Sequence, residues 1–279
     1  LTKTQLCALA LNVQNKTGKR IINGSPAPEG RVPWAGQMKA VRNNINWRNC
    51  GVTVISTHWL LTAAHCIYHQ KKHTQREQIM DKRSAARNQS DVLYENSLQG
   101  YYPNQRRRIL HFHAERIVVH PNYQTSVLFH DIALIKVRGQ IPIDGTYIAI
   151  ASLPPAGNSN NVPEVGSQNY IVGFGCRYSG GDVVNRAHVL QLKTNTKQEC
   201  VYAYGPSLVN YATQFCAGYF NQNTGVCLGD SGSGLISFQY GRPMIVGVAS
   251  AAVKSDMGNS PGKFVRVASY VSWIRQYVG

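Results

Sequence analysis

An all-β domain of many short strands, closed by one C-terminal helix, is the fold class this sequence predicts. Two observations carry it. From Val32 onward, short apolar runs rich in β-branched and aromatic residues are broken by Gly, Pro and Asn, a brevity that suits strands rather than helices. At the C-terminus the pattern changes: Val267, Tyr270, Val271, Ile274 and Val278 recur at helical spacing, as in an amphipathic helix with one apolar face. A chain of 279 residues, 43% of them hydrophobic, can bury a substantial core, so disorder is not expected. No run approaches the roughly 20 apolar residues that cross a bilayer, and the chain is expected not to be transmembrane.

In chain order, the first twenty residues are polar and end at the basic doublet Lys19-Arg20. Strand-like runs follow at Trp59–Ala64, Ile132–Val137, Tyr170–Phe174 and Met244–Val248, and the helix is expected over about 267–278. Between Tyr68 and Arg108 lies a long polar stretch holding Lys71-Lys72, Lys82-Arg83 and Arg106-Arg107-Arg108. Long polar loops are usually tolerated decoration, whereas clustered cations also suit an acidic partner, so the basic loop 71–108 is a candidate docking surface for anions. The 29 Lys and Arg against 13 Asp and Glu give a formal net charge of +16, which favours anionic surfaces in general. No zinc-finger spacing or basic zipper is present, so no specific nucleic-acid partner is expected.

Three segments carry chemistry: Leu61-Thr-Ala-Ala-His-Cys66, His130-Asp-Ile-Ala-Leu-Ile-Lys-Val137 and Cys227-Leu-Gly-Asp-Ser-Gly-Ser-Gly234. Together they offer His65, Asp131 and Ser231. A serine hydroxyl is a poor nucleophile at neutral pH and needs a base to take its proton and a third group to orient that base. Gly-Asp-Ser-Gly alone can be a plain turn; all three segments in the order His, Asp, Ser form a specific signal.

These segments, with Ile21-Ile22-Asn23-Gly24 after the basic doublet, resemble the chymotrypsin/trypsin family of serine endopeptidases over residues 21 to 279. In its general look the chain is also similar to insect haemolymph proteases of the scolexin type. The resemblance implies two antiparallel β-barrels with a cleft between them: a pro-segment at 1–20, an N-terminal barrel over about 21–140, a C-terminal barrel over about 141–266 and the closing helix. It implies His65, Asp131 and Ser231 as the catalytic triad of the general template, and the backbone N–H groups of Gly229 and Ser231 as the oxyanion hole. Cutting after Arg20 would free the Ile21 ammonium to pair with Asp230, so the uncut chain is expected to be a zymogen activated by a trypsin-like protease.

The resemblance further places Gly225 at the floor of the substrate pocket, Val226, Ala252 and Gly262 in its walls and Ser250 at its edge. Such a pocket has no acid and should take apolar side chains, from Leu or Met to Phe or Tyr. Protein or peptide substrates and a protease inhibitor are the implied partners; no metal and no cofactor are expected. The disulfides implied are Cys50–Cys66 and Cys200–Cys216. Seven cysteines leave Cys7, Cys176 and Cys227, and an odd count leaves one free or bonded to another chain. The family's partner for the cysteine before the nucleophile motif would lie near Ser255, where there is no Cys, and a second family bridge is absent at both ends, near Asn169 and Ser237. Cys7 with Cys176, Cys7 with Cys227, and Cys227 as an inert buried thiol remain open.

Secretion is expected, with sequons at Asn15, Asn23 and Asn88. Asn88 and Asn15 are the candidate glycosylation sites; Asn23 falls in a segment the family packs against the body. Three departures from the family stand out: Ser250-Ala251-Ala252 in place of Ser-aromatic-Gly, Ser233-Gly234 in place of Gly-Pro, and the missing disulfide behind the pocket. They keep alive an alternative: a weakly active or non-catalytic cationic binding protein of host defence on the same fold.

Overall fold

The computed structural model describes residues 22, 24–27, 30–42, 45–68, 92–99, 109–156, 161–176, 187–253 and 255–279. Cys7, Asn15, Arg20, Ile21, Asn23, Asn88 and the basic clusters at 71–72, 82–83 and 106–108 lie outside them.

Two antiparallel sheets form the body. The first is a closed six-stranded barrel of β2 (Ala35–Arg42), β3 (Ile45–Val54), β4 (Trp59–Thr62), β7 (Ala133–Val137), β6 (Ile109–Val119) and β5 (Val92–Gln99), in that order around the wall. Closure leaves no exposed strand edge. All four residues of β4 are buried, as are four of the five in β7, which is why both read as continuous apolar runs rather than alternating ones. Strand β5 departs from the sequence reading. It falls inside the stretch read as a polar loop, yet it pairs with β2 on one side and β6 on the other and so closes the barrel.

The second sheet has seven strands in the order β1 (Ser25–Pro26), β9 (His188–Lys193), β8 (Gln168–Gly173), β11 (Gly234–Gln239), β12 (Arg242–Ala251), β13 (Gly262–Arg266) and β10 (Gln214–Ala217). It curls into the second of the two expected antiparallel barrels, as a half-barrel whose edges are β1 and β10. Strand β1, counted with the N-terminal barrel on sequence, pairs with β9 of this sheet, and Ile22 bridges to Gly225. The start of the described chain therefore docks on the C-terminal half. The opposite crossing is made by the closing helix. A 3-10 turn (Val267–Tyr270) leads into α2 (Val271–Val278), and Val267, Tyr270 and Ile274 pack in one core with Trp59, Leu60 and Leu134 of the first barrel. Strand β1 and the closing helix thus each tie one half to the other.

A further helix, α1 (Lys197–Tyr204), went unread in the sequence because its apolar residues form no stripe; Cys200 is its buried residue. Its signal lay in the N-cap. Thr196 Oγ1 accepts the Glu199 N–H at 3.2 Å while Glu199 Oε2 accepts the Thr196 N–H at 2.7 Å, a reciprocal capping box that satisfies two donors otherwise left open at a helix start.

Ile274 is fully buried against the first barrel. Ile274→Ala is expected to lower the free energy of unfolding by about 2–5 kcal/mol, read as a lower denaturant midpoint with an unchanged slope in urea unfolding.

Candidate active site

Strand β4 ends at Thr62, two residues short of the apolar run, and the chain turns through a 3-10 segment Ala64–Cys66 that carries His65. A disulfide from Cys66 to Cys50 on β3 holds this turn. Asp131 lies just ahead of β7 and is completely buried. Its carboxyl meets His65 twice: Oδ1 accepts the His65 backbone N–H at 2.8 Å, and Oδ2 is 2.7 Å from Nδ1. Ser250 Oγ, reaching over from β12 of the other sheet, donates to the same Oδ2 at 2.6 Å. An oxygen that only accepts fixes the proton on Nδ1, so Nε2 is left as the basic nitrogen.

The segment before Asp131 is braced from several sides. Leu128 and His130 adopt left-handed backbone angles (φ 55° and 53°), unfavourable for residues with a Cβ and sustained only where surroundings over-determine them. Gln214 Nε2 donates to the Leu128 carbonyl at 2.8 Å, and the Tyr270 hydroxyl is 2.9 Å from His130 Nδ1. The His130 ring stacks on His120 at 5.0 Å, with Trp273 of α2 edge-on. Burial holds both imidazoles below the usual histidine range, His120 at about 4.

Ser231 sits in the turn between β10 and β11. Gly229 and Gly232 have φ of 95° and 78°, which glycine adopts at no steric cost. The loop is pinned on two sides: across the seam Gly51 N–H donates to the Ser231 carbonyl at 2.7 Å, and within its own sheet Gly232 N–H donates to the Ala249 carbonyl at 2.8 Å. A Cβ on Gly232 would collide with Thr62 and come within 2.5 Å of the Gly51 carbonyl oxygen, so the two halves meet backbone to backbone here. Among the described residues, the N–H groups of Gly229 and Ser231 find no protein acceptor, leaving two donors beside the serine.

Asp230 is buried, and its oxygens accept the backbone N–H groups of Gly175 at 2.8 Å and Cys227 at 2.9 Å. Burial pushes its carboxyl up to about 7, against the opposing pull of those two hydrogen bonds. Side chains at Gly173 or Gly175 would overlap the carboxylate, so the residue occupies a slot made by their absence. The same alignment explains a disulfide that the sequence reading did not contain. Cys176 N–H donates to the Leu228 carbonyl at 3.0 Å, so the 174–176 and 227–230 backbones run side by side. Cys176 and Cys227, with Cα atoms 5.6 Å apart, are bonded to each other, a separation usual for such bonds. The pairings of Cys7 with either, and the free Cys227 thiol, are thereby corrected. Cys200 and Cys216 form the third disulfide.

A cleft of about 380 Å³ opens between the sheets, and His65, Ser231, Val226, Ser250, Ala252 and Gly229 all line it. Gly225 and Gly262 lie behind this lining. The Val226 side chain fills the space in front of Gly262, with Cγ2 2.5 Å from where a Cβ would stand. The Met257 carbonyl similarly comes within 2.5 Å of the Cβ position of Gly225, and Met257 takes part of the wall. Leu128 and Met257 are lining residues the sequence did not single out. Neither is Lys263, buried on β13 opposite Ala251, with its ammonium 5.5 Å from the Tyr204 ring centroid. Burial holds its pKa below the ordinary lysine range, with the Asp131 charge opposing. The ligating atoms of Cys50, His65 and Cys66 cluster within 4.8 Å, but the two sulfurs are bonded to one another and offer no thiolate to a metal.

Residues 21–274 match the family model described as Trypsin. The chain belongs to the trypsin family. Within that family it is 28% identical over 269 residues to vitamin K-dependent protein C of Rattus norvegicus, covering 94% of this chain and 52% of the relative. It is 28% identical over 274 residues to transmembrane protease serine 11B of Homo sapiens, covering 94% and 56%. The chain thus spans about half the length of the curated relatives it matches. Its two curled antiparallel sheets and short closing helix are the chymotrypsin-like fold.

Asp230 gives the site a pH signature. A folded pKa near 7, raised above 3.8 by burial, contributes stability that is complete below the unfolded value and lost as pH rises through 7. A protonated carboxyl resembles an amide, so uncut Asp230→Asn is expected to match the wild type near pH 3, below the unfolded value. It should become the more stable of the two above pH 7, as measured by urea midpoints at both values.

Proposed function

We propose that this trypsin-family chain is a secreted serine endopeptidase, made as a zymogen, that cuts after apolar residues. The observation that carries this reading is the bonded series Ser250, Asp131, His65 facing the same cleft as Ser231, beside the two unengaged N–H groups. Ser231 Oγ attacks the peptide carbonyl as its proton passes to His65 Nε2. Asp131 holds the ring and stabilises the imidazolium. The oxyanion is received by the N–H groups of Gly229 and Ser231, each such donor being worth about 2.7–4 kcal/mol in the transition state. The C–N bond then breaks, the amine leaves with the proton from Nε2, and water releases the acyl group by the same route in reverse.

Zymogen activation is supported by Asp230. Among the described residues its carboxyl meets two backbone donors and no cation, and a buried charge is costly until it is paired. The Ile21 ammonium, freed by cleavage after Arg20, supplies that charge; the adjoining Ile22 already bridges to Gly225 beside the pocket. The apolar preference rests on the lining: Val226, Ala252 and Met257 are apolar, and the one acid in the cleft lining, Asp230, is buried and engaged by the N–H groups of Gly175 and Cys227. Secretion is supported by the three disulfides, which persist in oxidising compartments. Among the described residues no helix is long and apolar enough to cross a membrane.

One observation favours the second reading, a cationic binding protein of host defence. The end of β12 beside the cleft offers Ala251 and the following Ala252 to an incoming peptide, a thin shelf for upstream residues. Activity separates the readings. After treatment with a trypsin-like activator and confirmation of an Ile21 N-terminus, peptides with Leu, Phe or Tyr before the cut are expected to be hydrolysed, and those with Lys or Arg not. Ser231→Ala should remove at least about 10⁴-fold of kcat; no turnover from the correctly freed chain would favour the binding protein.

The pocket itself is tested by Val226→Gly. Removing the side chain that fills the space before Gly262 is expected to shift kcat/KM from Leu towards Phe and Tyr by about 10-fold or more, in line with 1–3 kcal/mol for shape discrimination.

A further inference from the structure

The cleft stops short of the two glycines that the family pattern assigns to the substrate pocket. Val226, Ala252 and Met257 line it, whereas Gly225 and Gly262 are not among the lining residues. In front of Gly262 stands the Val226 side chain, with Cγ2 and Cγ1 at 2.5 and 3.5 Å from the Cβ position. At Gly225 the obstruction is main chain: the carbonyl oxygens of Met257 and Ser260 lie 2.5 and 3.7 Å from the Cβ position there. Met257 itself is 6% exposed. Its Sδ packs 3.8 Å from Cys227 Sγ, and it shares a core cluster with Ile22, Cys176 and Cys227, with Ala252 packed against them. Both residues flanking Met257 are tied down. The Asp256 N–H donates to the Val253 carbonyl at 2.9 Å, and the Asp256 carboxylate accepts from Asn259 Nδ2 at 3.0 Å. On the other side, the Gly258 carbonyl accepts the Thr224 N–H at 2.5 Å.

A methionine side chain yields readily where it is loosely held. Here its sulfur is packed and its main chain is anchored on both sides, so a long side chain entering the pocket has to push against a fixed wall. Overfilling a packed site forces strained side chains or a backbone shift. We propose that Met257 sets the depth of the substrate pocket and, with Val226, selects short aliphatic side chains, Val and Ala, before the cut. This rests on the reading above of an endopeptidase with an apolar pocket and narrows its substrate class. A Val side chain ends at Cγ, ahead of both obstructions. Leu reaches further and fits less well; the rings of Phe and Tyr continue from Cγ to Cζ and fit worst.

The test is a series of peptides that differ only in having Ala, Val, Leu or Phe before the cut, assayed with the chain activated to an Ile21 N-terminus. The kcat/KM for Val is expected to exceed that for Phe by about tenfold or more, the scale of discrimination by pocket shape. Met257→Ala should shift the Phe-to-Val ratio towards Phe by a similar factor, chiefly through KM, and Met257→Leu, close in volume, should keep the wild-type ranking. A wild-type enzyme that cleaves after Phe as well as after Val would overturn the proposal, whether or not the variants fold. So would a Met257→Ala chain that slows on every peptide in the same proportion, the mark of a merely structural role. Calorimetric titration of Ser231→Ala with peptides ending in Val or Phe ranks the pocket without turnover, and Val is expected to bind the more tightly. That order, in a chain that hydrolyses nothing, would count against the catalytic reading and leave the role of Met257 standing.

Discussion

The constraint on which this structure depends is the burial of one carboxyl group at the seam between two sheets. Asp131 belongs to the first barrel, yet one of its three hydrogen bonds comes from Ser250 on the second sheet. A wholly buried carboxyl is tolerable only with its lone pairs used, so the two halves cannot separate here without stranding it. The same three bonds that satisfy Asp131 orient His65. Stability and the chemistry of the imidazole are therefore met by one arrangement. The braces around it, from Gln214 on β10 and Tyr270 ahead of the closing helix, come from the second half of the chain as well. Strand β1 and the closing helix cross between the halves as well, and add to the contacts that keep Ser250 within reach of Asp131.

The second buried acid works by the opposite logic. Asp230 has two backbone donors and a slot cleared by Gly173 and Gly175, but these do not outweigh its desolvation, and its carboxyl titrates near 7. Asp131 is embedded in a network with side-chain partners on both sheets; Asp230 leans on main-chain N–H groups alone. A site built this way is sensitive to the arrival of a positive charge. Its neighbours in sequence are Gly229 and Ser231, whose N–H groups find no backbone acceptor among the described residues, so a change at Asp230 bears directly on both.

Much of this was legible in the sequence, for a physical reason. The chemistry of an activated serine demands particular residue types in short local settings, so His65, Asp131 and Ser231 stand out in their motifs, and the fold brings the three segments to one cleft. The alternation of short apolar runs and the spacing of Val267, Val271, Ile274 and Val278 announce strands and a closing helix by the same local rules. What escaped depends on neighbours far apart in the chain. The Cys176–Cys227 bond follows from two backbones running side by side, which no spacing rule contains. Strand β5 is polar in composition and becomes a strand because a barrel needs a sixth member between β2 and β6. Helix α1 has no apolar stripe and was visible only through Thr196 and Glu199. The path of the loop carrying Met257, which covers Gly225, is likewise a tertiary fact.

The pocket shows where family pattern and local packing part company. Glycines at 225 and 262 would, by pattern, leave an open slot for a large side chain. Each lacks a Cβ, but in both cases a neighbour has moved into the space: the Met257 backbone over Gly225 and the Val226 side chain against Gly262. A glycine marks room only when nothing else has claimed it. The end of β12 gives the converse lesson. Ala251 stands where the family pattern has an aromatic, and on the adjoining strand the paired position is a buried lysine, its pKa lowered by burial against the opposing charge of Asp131. Tyr204, whose hydroxyl is 3.2 Å from the Ala251 carbonyl and 2.9 Å from that of Pro261, bridges the ends of both strands beside it.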